Sequence, residues 1–278
     1  MRAVHTIAEL RQIVARIERP VGLVPTMGAL HEGHGRLMEE ARGASASTVV
    51  SIFVNPIQFN QGEDYQRYPR TLETDLGFCE QRAVDFIFAP SADEMYPEPL
   101  MTFVEPGPVA EAMEGRFRPG HFRGVATVVL KLFQIVQPDR AWFGEKDAQQ
   151  LAVVRRMVKD LDVPVEVVGV PTVREPDGLA MSSRNRHLSA EERAVAPRVY
   201  EALRAARDRI VSGDRSAEVV KAAALEVLSG HPLLRVEYVE VAGLADMQPV
   251  ENIDGPVCVA AAVWVGRTRL IDNIPLRL

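Results

Sequence analysis

Residues 25–34 read PTMGALHEGH, which sets His31 and His34 three positions apart between Gly28 and Gly33. The segment follows a short apolar run, Val21–Val24, and opens a helical pattern. The first turn of a helix has unpaired N–H groups and the positive end of the helix dipole, which together attract phosphate oxygens. Histidines three apart lie on one face of that turn, and glycines without a Cβ let a nucleotide approach the backbone. The plain alternative is a pair of histidines that merely decorate a helix start. Their spacing and strand-to-helix setting favour the anion site. A zincin HExxH is absent, because Glu32 is followed by Gly33-His34, and no Gly-x-x-x-x-Gly-Lys-Ser/Thr loop occurs.

Three further segments carry reactive types. FGEKDAQQ, residues 143–150, also stands at an expected strand end before a helix. Active sites of parallel sheets lie outside the carboxyl ends of the strands, so this turn and the first would face one crevice. Lys146 suits a phosphate, Asp147 a helix cap or a ribose, and Gln150 follows one turn on. A capped helix with a solvated lysine fits the same letters. MSSRN, residues 181–185, puts Ser182, Ser183 and Arg184, all phosphate-binding types, on a loop. In FVNPIQF, Gln58 follows a strand end, and a buried glutamine there needs a hydrogen-bond partner, a ligand being one candidate. HFRGVAT, residues 121–127, adds a cationic helix start or an ordinary cap.

The elements that position these groups follow from hydrophobic period. Thr6 and Glu9 have capping-box spacing ahead of the stripe Ile7, Leu10, Ile13, Val14 and Ile17. Val21–Val24, stopped by Pro25, then 48–54, 84–89, 140–143 and 163–170 read as strands, and 71–83, 125–136 and 147–161 as helices. Strands that run apolar throughout and alternate with helices predict an α/β fold with a parallel sheet covered on both faces. After Pro171 the character changes. TVREPDGLAMSSRN is polar and turn-rich, and a long helix is expected from the Ser189/Glu192 cap through Ile210, then a second to about Ser229. Residues 236–241, 257–265 and 269–274 are strand-like. Two domains are expected, 1–174 and a smaller α+β domain over 175–278.

Composition narrows the class. The 278 residues are 47% hydrophobic and 25% charged, an ordinary globular balance. With 32 basic and 38 acidic residues the net charge is −6, which disfavours nonspecific nucleic-acid binding. The longest apolar run, 257–265, is about half of a membrane span, and the N-terminal 20 residues are broken by charges. Cys79 and Cys258 alone form neither a disulfide framework nor a zinc site. A soluble cytoplasmic protein is expected, with no membrane and no nucleic-acid partner.

PTMGALHEGH, SIFVNPIQF, EDYQRYPRTL, HFRGVATVV, WFGEKDAQQL, REPDGLAMSSRN and the terminal RLIDNI together resemble the pantothenate synthetase (pantoate–β-alanine ligase) family over nearly the whole chain. Two departures stand out. Gly35-Arg36 replaces the Leu-Ser of a typical member, and a helical glycine costs about 1 kcal/mol against alanine. Ala148 replaces the aromatic residue often found before the two glutamines.

The resemblance implies a Rossmann-like nucleotidyltransferase domain, a smaller C-terminal lid and a homodimer. It implies that ATP and pantoate give pantoyl-adenylate and pyrophosphate, and that β-alanine then gives pantothenate and AMP. Met27, Gly28, Ala29, Leu30, His31, Glu32, Gly33 and His34 would line the ATP site. Gly144, Glu145, Lys146, Asp147, Val173, Met181, Ser182, Ser183 and Arg184 would complete it. His34, Lys146 and Arg184 would stabilise charge in the transition state. Gln58 and Gln150 would hold pantoate. Mg²⁺ would bridge the phosphates, held mainly by phosphate and water, with no protein ligand assigned. Another nucleotidyltransferase sharing the His-x-Gly-His turn, and a nucleotide-binding regulator without catalysis, are the rival readings.

Overall fold

The computed structural model describes residues 1–59, 65–66 and 68–277. Glu63, Asp64 and Arg67 of the EDYQRYPRTL motif lie outside the described residues. In chain order the elements are β1 (Arg2–Val4), α1 (Ile7–Val14), β2 (Val21–Thr26), α2 (Glu32–Ala44), β3 (Ser47–Ile52), α3 (Leu72–Gln81), β4 (Phe86–Phe88), α4 (Ala92–Met95), α5 (Glu114–Phe117) and α6 (His121–Val136). There follow β5 (Arg140–Gly144), α7 (Ala148–Asp160), β6 (Glu166–Val170), α8 (Ala190–Val195), α9 (Arg198–Val211), α10 (Ala217–Leu228), β7 (Leu234–Gly243), β8 (Val257–Val265) and β9 (Thr268–Leu276). Two compact units result. The first comprises Met1–Gly107, Phe117–Glu145 and Val153–Pro171; the second takes Pro108–Arg116, Lys146–Ala152 and Thr172–Leu278. The second unit thus gathers two short stretches from the part of the sequence expected to form the first domain.

The first unit is built on a six-stranded sheet in the order β1-β4-β3-β2-β5-β6, parallel throughout. Val24 and Val50 share one apolar cluster with Leu37 and Met38 of α2 and Cys79 of α3. Leu23 and Val49 point the opposite way and are equally buried, so both faces are covered. On that other side α6 packs over β2, and Phe133 meets Phe143 of β5 edge-on at 6.5 Å. The chain leaves β2 for β3 on one side, while β5 lies on the other. The carboxyl ends of β2 and β5 therefore flank the switch point of the sheet.

Several boundaries differ from the pattern reading. β2 runs through Pro25 to Thr26 instead of stopping before the proline. The Thr26 carbonyl faces β3, so Pro25 faces β5, whose ladder with β2 covers only Gly22 and Leu23. The missing N–H falls where no ladder needs it. β1 was not expected, since three edge residues with only Val4 buried leave no period. α6 starts four residues before the expected Val125, after Gly120 in a left-handed conformation. The long helix expected from Ser189 to Ile210 is two. Ser189 and Glu192 do form a reciprocal capping box, but Pro197 cannot donate to the preceding turn and α9 starts after it.

In the second unit β7, β8 and β9 form an antiparallel sheet in that order. Its core joins Val259, Ala261 and Val263 of β8 to Val199, Leu203 and Ile210 of α9 and to Val220 and Ala224 of α10. Among the described residues no helix is long and apolar enough to cross a membrane.

Candidate active site

Three loops of the first unit leave carboxyl ends of its strands: the turn after Thr26, the segment after Ile52, and Ala89-Pro90-Ser91 after β4. Met27, Gly28, Phe53, Arg70, Asp75 and Ser91 are among the residues lining a cleft of about 250 Å³ there. Gly28 and Ala29 both have left-handed backbone, with φ of 80° and 51°. A Cβ on Gly28 would stand 2.9 Å from Asp75 Oδ2 and 3.1 Å from a methyl of Ile52, so glycine is required on two counts.

Two side chains hold this turn. Thr26 Oγ1 donates to the Ser51 carbonyl at 2.7 Å and accepts from the Gly28 N–H at 3.2 Å. Asp75, in the first turn of α3 and 2% exposed, accepts from the N–H groups of Ala29 (3.0 Å) and Leu30 (2.8 Å) and from the Thr71 hydroxyl (3.1 Å). The carboxylate replaces water for two buried donors. Asp75 was missed in the sequence because an acidic residue in a first helical turn looks like dipole compensation alone.

The histidine pair has an internal role that the letters did not reveal. His31 Nδ1 accepts from the Gly33 N–H at 3.1 Å, and His34 Nδ1 accepts from the His31 N–H at 3.3 Å. The two imidazoles thus make a capping box for α2, with ring centroids 4.1 Å apart. The His34 N–H is bonded to the His31 carbonyl at 2.8 Å. The first turn therefore satisfies several of the N–H groups that the sequence reading offered to phosphate. Each Nδ1 accepts, so in each ring Nε2 is the nitrogen that can donate.

Glu32 is exposed and pairs with Arg82 at 2.7 Å. Gly35 is buried in α2. The Arg82 guanidinium lies against it, 2.5 Å from where a Cβ would stand, and stacks on Phe78 at 3.5 Å. Arg82 thereby occupies the space a side chain would have filled.

Gln58 closes a short 3₁₀ turn and is 6% exposed. Its Oε1 accepts from Asn55 Nδ2 at 2.9 Å, and its Nε2 points at Met27 Sδ, 3.2 Å away. His121 is not part of a cationic helix start. It is a buried ring whose Nδ1 donates to the Gln58 carbonyl at 2.9 Å and whose Nε2 faces the Arg118 guanidinium at 3.1 Å. Gly144 ends β5, paired with Val170, and Glu145, Lys146 and Asp147 form one 3₁₀ turn after it.

The second unit brings together Lys146, Ser182 and Arg184, which line one pocket with Asn185, Arg269 and Asp272. Its charges are unequally compensated. Arg269 is held by Glu114 at 2.7 Å and by Glu237. Burial pulls the Arg269 pKa down, but hydrogen bonds to those two carboxylates outweigh it and the net displacement is upward. Asp272 receives both guanidinium nitrogens of Arg174, at 2.6 and 2.9 Å. Among the described residues neither Lys146 nor Arg184 has an acidic partner. Two cations that lack an acidic partner among the described residues thus border a pocket of only about 10 Å³, a charge balance that favours an anion at its mouth.

Backbone contacts fix their loops. Asn273 donates to the Lys146 carbonyl at 2.7 Å, and Ser182 Oγ accepts from the Arg184 N–H at 3.3 Å. Val173 and Met181 are joined, the Met181 N–H donating to the Val173 carbonyl at 3.0 Å. Ser183 opens the 3₁₀ turn that carries Arg184, and Asp147 is exposed. The paired glutamines divide their labour. Gln149 is buried and bonds the Glu114 N–H and the carbonyls of Val109 and Ala112, whereas the side chain of half-buried Gln150 has no hydrogen bond among the described residues. The described residues contain no cluster of three or more His, Cys, Asp or Glu able to hold a metal.

A family model described as pantoate-beta-alanine ligase matches residues 2–275. A pantothenate synthetase from Roseiflexus sp. (strain RS-1) is 51% identical over 276 residues, 99% of each chain. The crystal structure of the pantothenate synthetase from Thermus thermophilus superposes with a TM-score of 0.93 at 51% identity, covering 99% of both chains. A pantoate-beta-alanine ligase from Francisella tularensis, complexed with beta-gamma ATP and beta-alanine, gives a TM-score of 0.80 at 34% identity over 99% of this chain and 97% of its own.

Proposed function

The chain belongs to the pantoate–β-alanine ligase family, and from that premise we propose that it condenses pantoate with β-alanine through a pantoyl-adenylate. The pantoate carboxylate attacks the α-phosphorus of ATP and pyrophosphate leaves. The β-alanine amine then attacks the acyl carbonyl, loses a proton as the amide forms, and expels AMP. The Francisella tularensis relative, complexed with beta-gamma ATP and beta-alanine, supports two of the three substrates.

The observation that carries the reading is the pair of uncompensated cations, Lys146 and Arg184, in one pocket with Ser182. A carboxylate approaching a triphosphate meets a polyanion, so charge must be neutralised in the in-line transition state. Lys146 and Arg184 supply positive charge, and the His34 Nε2–H supplies a donor. Met27, Gly28, Ala29, Leu30, His31, Glu32, Gly33, Gly144, Glu145, Asp147, Val173, Met181 and Ser183 are assigned to the nucleotide as well. Gln58 and Gln150 are assigned to pantoate, because neutral amides bond its hydroxyls and carboxylate without trapping it as an ion pair. With no acidic cluster on the described residues, Mg²⁺ would come with the triphosphate, and no step here is routed through it. The same reading makes the protein a cytoplasmic homodimer.

The test is incubation with ATP and pantoate, with and without β-alanine, followed by mass spectrometry. Pyrophosphate and an enzyme-bound adenylate are expected without β-alanine, and AMP and pantothenate with it. Pyrophosphate that appears only after β-alanine is added would overturn the two-step order. A stable nucleotidyl product would point instead to the rival transferase.

A further inference from the structure

Gln58 is one end of a hydrogen-bonded relay whose direction is set by a group that can only accept. The Gly124 carbonyl lies 3.2 Å from one terminal atom of the Asn55 amide. A carbonyl has no proton to give, so that atom is Nδ2. The same Nδ2 lies 2.9 Å from the Gln58 amide, so the Gln58 atom facing it is Oε1. The Nε2 of Gln58 is then the end directed at Met27 Sδ. On the far side, the Asn55 Oδ1 takes the proton of the Tyr96 hydroxyl at 2.8 Å. From Tyr96 the protons run O–H to Oδ1, Nδ2–H to Oε1, and Nε2–H to a residue lining the cleft.

The relay is protected from water and from slippage. Asn55 is 1% exposed and Gln58 6%. Gly124 makes the close approach possible, since a Cβ there would stand 2.4 Å from the Ile57 carbonyl oxygen and 2.6 Å from Gln58 Cα. The terminal acceptor is a thioether, which binds a proton weakly, so a carboxylate or hydroxyl oxygen would be a better partner for Nε2–H.

Building on the assignment of Gln58 to pantoate, we infer that Tyr96 is a positioning residue for the acid substrate. Acting through Asn55, it holds Gln58 with its donor end toward the substrate, and so favours an oxygen acceptor there over an amide or ammonium donor. A flipped Gln58 would present Oε1 to a carboxylate and repel it.

Tyr96→Phe removes only the hydroxyl. The ring keeps its neighbours, Phe53 at 6.0 Å between centroids and the Lys131 ammonium 5.1 Å from the ring centre. Initial rates should show the KM for pantoate raised about three- to tenfold, with the KM values for ATP and β-alanine within about twofold and kcat within about threefold. In a Gln58→Ala background the same change should alter the pantoate KM by less than about twofold, because residues acting through one another are not additive. An unchanged pantoate KM in Tyr96→Phe, or an equal effect in both backgrounds, would overturn the relay. Asn55→Asp is the second variant, used alone if thermal melting shows Tyr96→Phe misfolded. It offers only acceptors to Gly124 and Gln58, and should raise the pantoate KM while sparing that for ATP; an unchanged pantoate KM there also overturns the proposal. Wild-type protein that turns over no pantoate would refute the functional reading itself, a distinct outcome.

Discussion

Asp75 should matter to both stability and turnover, because it holds the turn after β2 from within. Its carboxylate is the acceptor for two main-chain N–H groups, those of Ala29 and Leu30, on residues 1% and 5% exposed. Truncation in Asp75→Ala removes the acceptor from both, at about 1–3 kcal/mol for each buried donor, or about 2–6 kcal/mol together. The turn also stores strain, since Ala29 is a non-glycine residue at φ 51° and left-handed backbone costs about 1–2 kcal/mol. Without the carboxylate the Thr26 hydroxyl is left as the side chain holding the turn, through the Gly28 N–H, and the turn that leads into His31 and His34 loosens. Asp75→Asn keeps the shape and one oxygen but turns an amino group toward one of the two donors, so it should lose at least half as much. Urea unfolding at constant m-value measures the stability, and initial rates with varied ATP measure the catalytic consequence, a fall in kcat/KM of about 10² or more. Asp75→Ala protein that loses under about 1 kcal/mol, or keeps wild-type kcat/KM for ATP, would refute the reasoning.

Other outcomes follow from the same geometry. His34→Ala and Lys146→Ala should each lower kcat by about 10²–10³, and near-wild-type turnover removes that residue from charge stabilisation. The urea midpoint should change little in Lys146→Ala but fall in His34→Ala, which loses half of the α2 capping box at about 0.5–2 kcal/mol. Asp177 is held below the usual carboxylate range chiefly by its hydrogen bond from Arg193, with burial opposing and the Leu179 N–H assisting. A depressed folded-state pKa gives stability that is present above about pH 4 and lost as pH falls through the lower folded value. Asp177→Asn should flatten that acid limb, by under about 1 kcal/mol for a pair this exposed, and an unchanged limb would exclude the pair as its source. Burial, and secondarily the Asp75 carboxylate, push the Cys79 thiol up to about 12, so it should resist iodoacetamide at pH 8 until the protein is unfolded. Rapid native alkylation of Cys79 would contradict its burial.

Legibility in the sequence followed how far a feature depends on near neighbours along the chain. The continuous apolar runs of β2, β3 and β8 were readable because full burial leaves a local mark, and both faces of β2 are indeed covered. β1 was not, since its place is set by pairing with β4 more than 80 residues away. Pro25 misled for a physical reason. Whether a proline ends a strand depends on which neighbour its N–H would have faced, and that is a property of sheet order rather than of the letter. The break at Pro197 is the opposite case, a local rule outweighed in the reading by a strong cap and a long stripe.

At the site, residues of one type could be sorted only by their partners. Arg184 and Arg269 line the same pocket and look equivalent in sequence, yet Arg269 is neutralised by Glu114 and Glu237 while Arg184 has no acidic partner among the described residues. Gln149 and Gln150 are adjacent, but three hydrogen bonds fix Gln149 to the 109–114 segment, and the Gln150 side chain has none among the described residues. Among the histidines, His121 presented itself as helix-start charge and is a buried ring bonded to the Gln58 carbonyl, while His31 and His34 use one nitrogen each to cap α2. A buried group with every donor and acceptor matched is structural by default, because a ligand could add nothing without breaking a bond already made. A group held rigidly by most of its atoms, with one polar atom facing a weak partner or none, is prepared for a ligand, since binding then gains an interaction at little ordering cost. By that criterion Gln58 stands apart, its Oε1 bonded to Asn55 and its Nε2 facing only a thioether. Gln150, Lys146 and Arg184 differ from their neighbours of like type in lacking such partners among the described residues, and both distinctions come from distances that no spacing in the sequence encodes.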